Sequence, residues 1–323
     1  MKLIFFGSLF FCAFSLKSQF APPANQVGTT AIFKDSSIFV SWATNCNVSQ
    51  GLQDISVPVS GYANVGDSSC AIGMAGVNGV LSLGDGGFAI LKFSSLIIDG
   101  AGPDFAVFEN SFDDTFLELA FVEVSSNGID FFRIPATSNS DTVTQTGSFG
   151  LTDATKINNL AGKYKGGFGT PFDLSEIPDH LLLNKQAVTH VKVIDVVGCI
   201  QNQYCTRDTY NHKINDPWPT AFGSCGFDLD AVGVINQQPV SVDELKKTLV
   251  KIYPNPVNDN LYVQDNPGES YTISINNIMG EVVYLSEKVS TNPIVPVSDL
   301  IPGIYLLNIS KGNKNQQIKF IKL

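Results

Sequence analysis

Along most of the chain, apolar and polar positions alternate in short runs, and glycine, proline and asparagine separate the runs. Residues 88–93, 105–108, 119–124, 130–134, 191–197 and 227–235 are rich in β-branched and aromatic side chains, the composition of half-buried strands. Asn127-Gly128 lies between two of them. Asn and Gly both tolerate positive φ at turn centres, so residues 121–134 predict a β-hairpin. Residues 261–263, 271–276, 282–285, 303–310 and 317–321 predict a second, smaller group of strands. Helical periodicity is confined to residues 179–184 and 242–249. Many short strands with Gly-rich turns predict an all-β protein built from β-sandwiches.

The ends divide the chain further. Met1-Lys2 followed by the apolar run 3–14 has the form of a secretory signal, too short to span a bilayer. Ser18 offers a small residue before Gln19, so residues 1–18 read as a signal peptide. Cys12 follows the bulky Phe11, which does not suit lipoprotein cleavage, and it falls within that signal. No later stretch has the length and apolarity of a transmembrane helix. An acidic body (residues 19–238), a linker (239–249) and a C-terminal module (250–323) follow. Five cysteines lie past the signal, and Cys46–Cys70 and Cys199–Cys205 are the expected bridges in an oxidising compartment. No C-x-x-C pair occurs, so a cysteine zinc site is not expected.

Charge separates body from module. Residues 19–249 carry 12 Lys and Arg against 24 Asp and Glu, whereas residues 250–323 hold six of each sign. Such a body repels nucleic acid and anionic membranes; it suits cations or neutral ligands, or simply solubility. For catalysis the sequence offers little. His180, His190 and His212 have no metal-ligand spacing, and neither G-x-S-x-G nor H-E-x-x-H occurs.

Two groups of residues are candidate sites. Asp99, Asp104 and Glu109 crowd one segment, with Asn110, Asp113 and Asp114 beside them. Asp228 and Asp230 alternate along a strand whose same face continues with Val232 and Val234. Asp99, Asp104, Glu109, Asp228 and Asp230 are the expected ligands of a structural calcium; the competing reading is hydrogen bonding to turn amides. Trp218 sits between two prolines, and Lys163, Tyr164 and Lys165 lie in a Gly-rich loop. An exposed indole facing that loop suits stacking on a sugar, and the competing reading is a plug at the end of a sandwich. Asp195, on an apolar strand, reads as a raised-pKa acid or as a strand cap.

Three resemblances sharpen this picture. Ile252-Tyr253-Pro254-Asn255-Pro256, Asn260-Leu261-Tyr262-Val263, Ile278-Met279-Gly280-Glu281, Leu300 to Tyr305 and Lys319-Phe320-Ile321-Lys322 stand in order. The pattern resembles the type A C-terminal sorting domain of the type IX secretion system of Bacteroidota. It implies an immunoglobulin-like module, the type IX machinery as partner, passage through the outer membrane, and in many members removal of the tag and attachment to surface lipopolysaccharide. Residues 121–132 resemble the V-S-x-(D/N)-G hairpin of discoidin-like sandwiches, which implies a galactose-binding-like jelly roll for the body. Gly84-Asp85-Gly86-Gly87, residues 104–110, residues 159–164 and Asn215-Asp216-Pro217-Trp218-Pro219 resemble a widespread secreted bacterial family of unassigned activity. The function expected is noncatalytic binding of an extracellular ligand such as a glycan. The alternatives are a carbohydrate-active hydrolase or lyase using the acidic cluster, and a purely structural surface protein.

Overall fold

The computed structural model describes residues 19–238, 250–265, 271–289, 292–311 and 314–323. The expected signal peptide (1–18) and the expected linker, with its expected helix at 242–249, lie outside the described residues. The chain divides into two units, Met1–Pro239 and Val240–Leu323.

Thirteen strands build the body: β1 (Ile32–Phe33), β2 (Ser41–Trp42), β3 (Asn45–Ser49), β4 (Leu81–Ser82), β5 (Phe88–Ile97), β6 (Phe105–Glu109), β7 (Ala120–Ser125), β8 (Phe132–Arg133), β9 (Thr137–Ser138), β10 (Ile157–Asn158), β11 (Phe168–Phe172), β12 (Val188–Asp195) and β13 (Asp228–Val234). One sheet runs β1-β11-β6-β13-β2, with β4 also on β13, and another runs β3-β5-β12-β7-β8. Their inner faces share one core, with Phe105, Val107, Leu229, Val232 and Val234 from the first sheet and Leu91, Val122, Val124, Val191 and Val193 from the second. Each such side chain contributes about 1.5–3 kcal/mol on full burial, which is why period-2 alternation survives in these strands.

The hairpin forms as expected, pairing Glu123 with Arg133 and Val124 with Phe132. Its turn differs in detail. Only Gly128 has positive φ, at 75°, and the Asn127 side-chain oxygen accepts from the amides of Ile129 and Asp130. Residues 179–184 are not helical; the described body has instead three short 3₁₀ turns, at Pro58–Ser60, Ala154–Lys156 and Leu174–Glu176. Asp153 and Asp173 cap the last two, accepting from the amides of Thr155 and Ser175. Strand β13 also departs from simple alternation. Its register to β6 shifts between Leu229 and Ala231, and this bulge re-phases the strand. Leu229, Val232 and Val234 therefore share the main core while Ala231 packs with Ala106 and Phe108. Asp228 and Asp230 do not continue the valine face. Cys46, Cys70, Cys199, Cys205 and Cys225 are free thiols, so the two expected bridges are not formed.

The C-terminal unit holds β14 (Val250–Tyr253), β15 (Asn260–Asp265), β16 (Tyr271–Asn277), β17 (Val282–Val289), β18 (Ile294–Pro296), β19 (Gly303–Lys311) and β20 (Lys314–Lys322). Sheets β14-β15-β18 and β17-β16-β19-β20 enclose Val250, Leu261, Val263, Ile273, Ile275, Leu307, Ile309 and Phe320. Strand β14 stops at Tyr253, where Pro254 removes the next backbone donor.

Candidate functional site

The long connection from β9 to β10 folds into a loop held from beneath by two amide side chains. Asn215 accepts from the Thr146 amide at 2.9 Å and donates to the carbonyls of Thr144 and Asp141. Gln145 donates to the Gly198 carbonyl at 3.0 Å and accepts from the Ile200 amide at 2.9 Å. These bonds shape a cavity of about 350 Å³ whose wall includes Ser140, Asp141, Thr144, Thr152, Asp153 and Lys156. The wall offers hydroxyls, amides, carboxylates and one ammonium, with Leu151 as an apolar member. Thr152 is 5% exposed, and its Oγ1 is buried without a hydrogen-bond partner among the described residues. In the same loop Phe149 stacks on Phe222 at 6.1 Å and on Phe116 at 6.3 Å; Phe116 in turn meets Phe112 at 6.2 Å. Phe112 and Phe149 are 87% and 77% exposed.

The residues expected to bind ligand are not in this cavity. Trp218 is 6% exposed and packs with Val197, Cys199, Ile55 and Tyr204, and its Nε1 donates to Asp85 Oδ2 at 3.1 Å. The expectation of an exposed stacking surface is corrected to a buried plug, because the sandwich end supplies both an apolar niche and an acceptor for the indole N–H. Tyr164 is buried, its hydroxyl 2.8 Å from Thr30 Oγ1. Lys163 is buried too, its Nζ donating to the Ile157 carbonyl at 2.7 Å and lying over the Phe20 and Tyr164 rings. Burial pushes its pKa down to about 8. Lys165 pairs with Asp114 at 2.8 Å.

The five expected metal ligands separate into two places. Asp99 and Asp104 meet Asp173, their oxygens within 4.8 Å of one another. Asp104 is fully buried and accepts from the Gly100 and Leu174 amides and from Asn236 Nδ2. Glu109 lies at the far end of β6, about 16 Å away at roughly 3.3 Å per residue, too far to share an ion whose bonds to oxygen span about 2.3–2.6 Å. There it neighbours Asp228 and Asp230, whose charges raise its pKa after burial itself. Asp228 accepts from Ser82 Oγ, and Asp230 from the Gly76 amide at 2.9 Å. Burial pushes the Asp228 carboxyl up to about 6. Asp195 accepts from the Phe227 amide at 2.8 Å and the Gly86 amide at 2.9 Å, the arrangement of a strand cap. The three histidines are dispersed: His180 against Phe132, His190 beside Thr189, His212 on Asp208. Sequence reasoning missed Asp173, Glu118 and the 139–153 loop. A run of Ser, Thr, Asp and Gln without apolar periodicity was the only signal for that loop.

Residues 251–323 match the family described as the secretion system C-terminal sorting domain. No curated protein matches the chain. Solved structures resemble it at low scores. PorZ, a surface component of the type-IX secretion system of Porphyromonas gingivalis, is 19% identical, covering 29% of this chain and 14% of its own, with a TM-score of 0.20. The BSP domain of a biofilm associated protein is 10% identical over 73% of this chain and 48% of its own, TM-score 0.22. A β-glucuronidase from Ruminococcus gnavus is 13% identical over 94% and 48%, TM-score 0.22. The chain spans less than half the length of each, and likeness at these scores says nothing of its chemistry. Residues 251–323 are a type IX secretion sorting tail, and the protein that carries them is secreted or held at the outer-membrane surface.

Proposed function

We propose that the body binds a neutral, hydroxyl-rich extracellular ligand such as a glycan, without catalysing a reaction, in the cavity walled by the 139–153 loop. The observation that carries this reading is the composition of that wall. Ser140, Asp141 and Thr144 offer donors and acceptors, and the exposed side chain of Leu151 supplies an apolar surface beside them. Polar groups that fix orientation beside an apolar surface are the usual make-up of a small-ligand site. The galactose-binding-like reading of the body belongs to the same proposal. A glycosidase would need two carboxyls facing an open cleft, yet the most strongly perturbed ones, Glu109, Glu118, Asp195 and Asp216, are all buried.

A glycan array probed with the mature chain, followed by calorimetric titration of the best hit, tests the reading. Asp141→Ala and Leu151→Ala should each weaken binding about tenfold, or ~1.4 kcal/mol, with the melting temperature unchanged. Absence of any glycan bound, or variants that bind as wild type does, would overturn it.

A further inference from the structure

Between β12 and β13 the chain doubles back over residues 206–214. The Ile214 amide donates to the Thr206 carbonyl and the Asp208 amide to the His212 carbonyl, and a β-bridge sets Arg207 directly opposite Lys213. Asn211 turns the tip with a φ of 66°. The β9 segment fastens this hairpin. Thr209 N donates to the Ala136 carbonyl at 3.1 Å, Ala136 N to Thr209 Oγ1 at 2.9 Å, and Ser138 N to Asp208 Oδ2 at 2.9 Å. A cavity of about 380 Å³ lies here, its wall including Ser138, Asn139 and Thr142 from the β9 side and Arg207, His212 and Lys213 from the hairpin.

The charge of this wall is at odds with the body around it. Residues 19–249 hold 24 Asp and Glu against 12 Lys and Arg, so carboxylates are plentiful as partners. Arg133, Lys165 and Lys185 each pair with one. Arg207 and Lys213 pair with none among the described residues. Arg207 donates to the Asn211 carbonyl at 2.9 Å and to Asn202 Oδ1 at 3.5 Å, and Lys213 Nζ donates to the Ile200 carbonyl. These acceptors are neutral and leave both charges in place. The hairpin's own carboxylate, Asp208, is already engaged: it accepts from the amides of Ser138, Tyr210 and His212, and His212 Nδ1 lies 3.1 Å from Oδ2. Like charges directly opposite on a β-ladder are destabilising. This chain places two of them side by side, in the wall of a cavity whose remaining lining is hydroxyls and an amide.

We propose that this cavity binds a tetrahedral oxyanion, a sulfate or phosphate group carried by an extracellular ligand. The guanidinium offers a planar fork suited to such oxygens, and the ammonium adds a point charge. Each keeps donors to spare, since an arginine has five N–H and a lysine three, of which two and one are taken. An anion between them turns their repulsion into a shared attraction, whereas a metal cation is repelled by the same pair. The site needs no occupant in the neighbouring glycan cavity, with which it shares Ser140 in its wall.

The test is calorimetric titration of the mature chain with sodium sulfate, sodium phosphate and sodium acetate in turn, at an ionic strength held constant with chloride. Sulfate and phosphate stabilise folded proteins generally by exclusion, so saturable heat, and not melting, is the readout of binding. Sulfate or phosphate should bind one site with a Kd of about 1 mM; the tighter of the two tells a sulfate ester from a phosphate ester as the source. Arg207→Gln and Lys213→Gln should each weaken binding at least about tenfold. Lys92→Gln, which removes the same charge from an exposed position of β5, should bind as wild type does. Without added anion both hairpin variants should melt at or above the wild-type temperature, because each removes one of two opposed like charges, and this also shows that they fold. No saturable heat from either oxyanion up to about 20 mM would overturn the proposal. So would acetate binding as tightly as sulfate and phosphate, or wild-type affinity in both hairpin variants.

Discussion

Replacing Trp218 with alanine separates a plug from a binding surface. The indole is 6% exposed and fills a niche of Val197, Cys199, Ile55 and Tyr204. Truncating a packed Trp to Ala costs about 3–5 kcal/mol through lost transfer energy and the cavity left behind. The hydrogen bond to Asp85 adds about 1 kcal/mol; Asp85 Oδ2 keeps its second donor, the Ile55 amide at 2.8 Å, so it is not left bare. The total, about 4–6 kcal/mol, lowers the melting temperature by roughly 8–24 °C at about 2–4 °C per kcal/mol for a unit of this size. Trp218→Phe keeps most of the packing and should lose only about 1–2 kcal/mol. Scanning calorimetry of the mature chain, reading the transition of the body, gives both values. A fall of less than about 3 °C in Trp218→Ala would refute the packing argument and return the indole to the surface.

Three further outcomes follow from single features. Lys163 has a pKa lowered by burial from 10.5 to about 8. Below pH 8 its folded charge carries the full penalty, and stability rises as pH climbs through 8 toward 10.5, by about 3 kcal/mol in all; denaturant melts of Lys163→Met should lack that rise and show a more stable protein at pH 7. Gly162→Ala should cost more than about 2 kcal/mol, since φ is 79° and the new Cβ would meet the Glu118 carbonyl at 1.8 Å; a melting temperature equal to wild type would contradict this. Deleting residues 250–323 should leave the body folded and confined to the periplasm, because the tail is a separate unit; fractionation that finds the truncated chain at the surface would contradict that assignment.

Strands that bury a long alternating face were legible in the sequence. Residues 88–93, 191–197 and 227–235 pointed to β5, β12 and β13 with ends shifted by a few residues, because β-branched and aromatic alternation is a local signal. What escaped was structure imposed by partners. Strands β1, β2 and β4 are two residues each, too short to show any period. Strand β11 contains Gly169 and Pro171, two residues that weaken any strand signal. It is a strand because β6 and β1 pair with it, and the glycine is required by packing: a Cβ on Gly169 would lie 2.8 Å from the Phe108 ring. The bulge in β13 was equally hidden, and it turned the expected face of Asp228 and Asp230 away from Val232 and Val234.

The candidate site was legible in composition and illegible in assignment, for a reason that concerns donors. The acidic residues stood out at once, but what each carboxyl does depends on which amides reach it, and those amides come from elsewhere in the chain. Asp195 is served by Gly86 and Phe227, and Asp104 by Gly100, Leu174 and Asn236. Trp218 finds its acceptor at Asp85, 133 positions away. Flanking prolines therefore could not decide between exposure and burial for that indole. Glu118 is the converse case. Set between Leu117 and Leu119 at the mouth of a strand, it has the look of an ordinary solvent-facing position in an alternating run. Only the structure places it inside, at 8% exposure, with no donor among the described residues where Asp104 has three and Asp195 two.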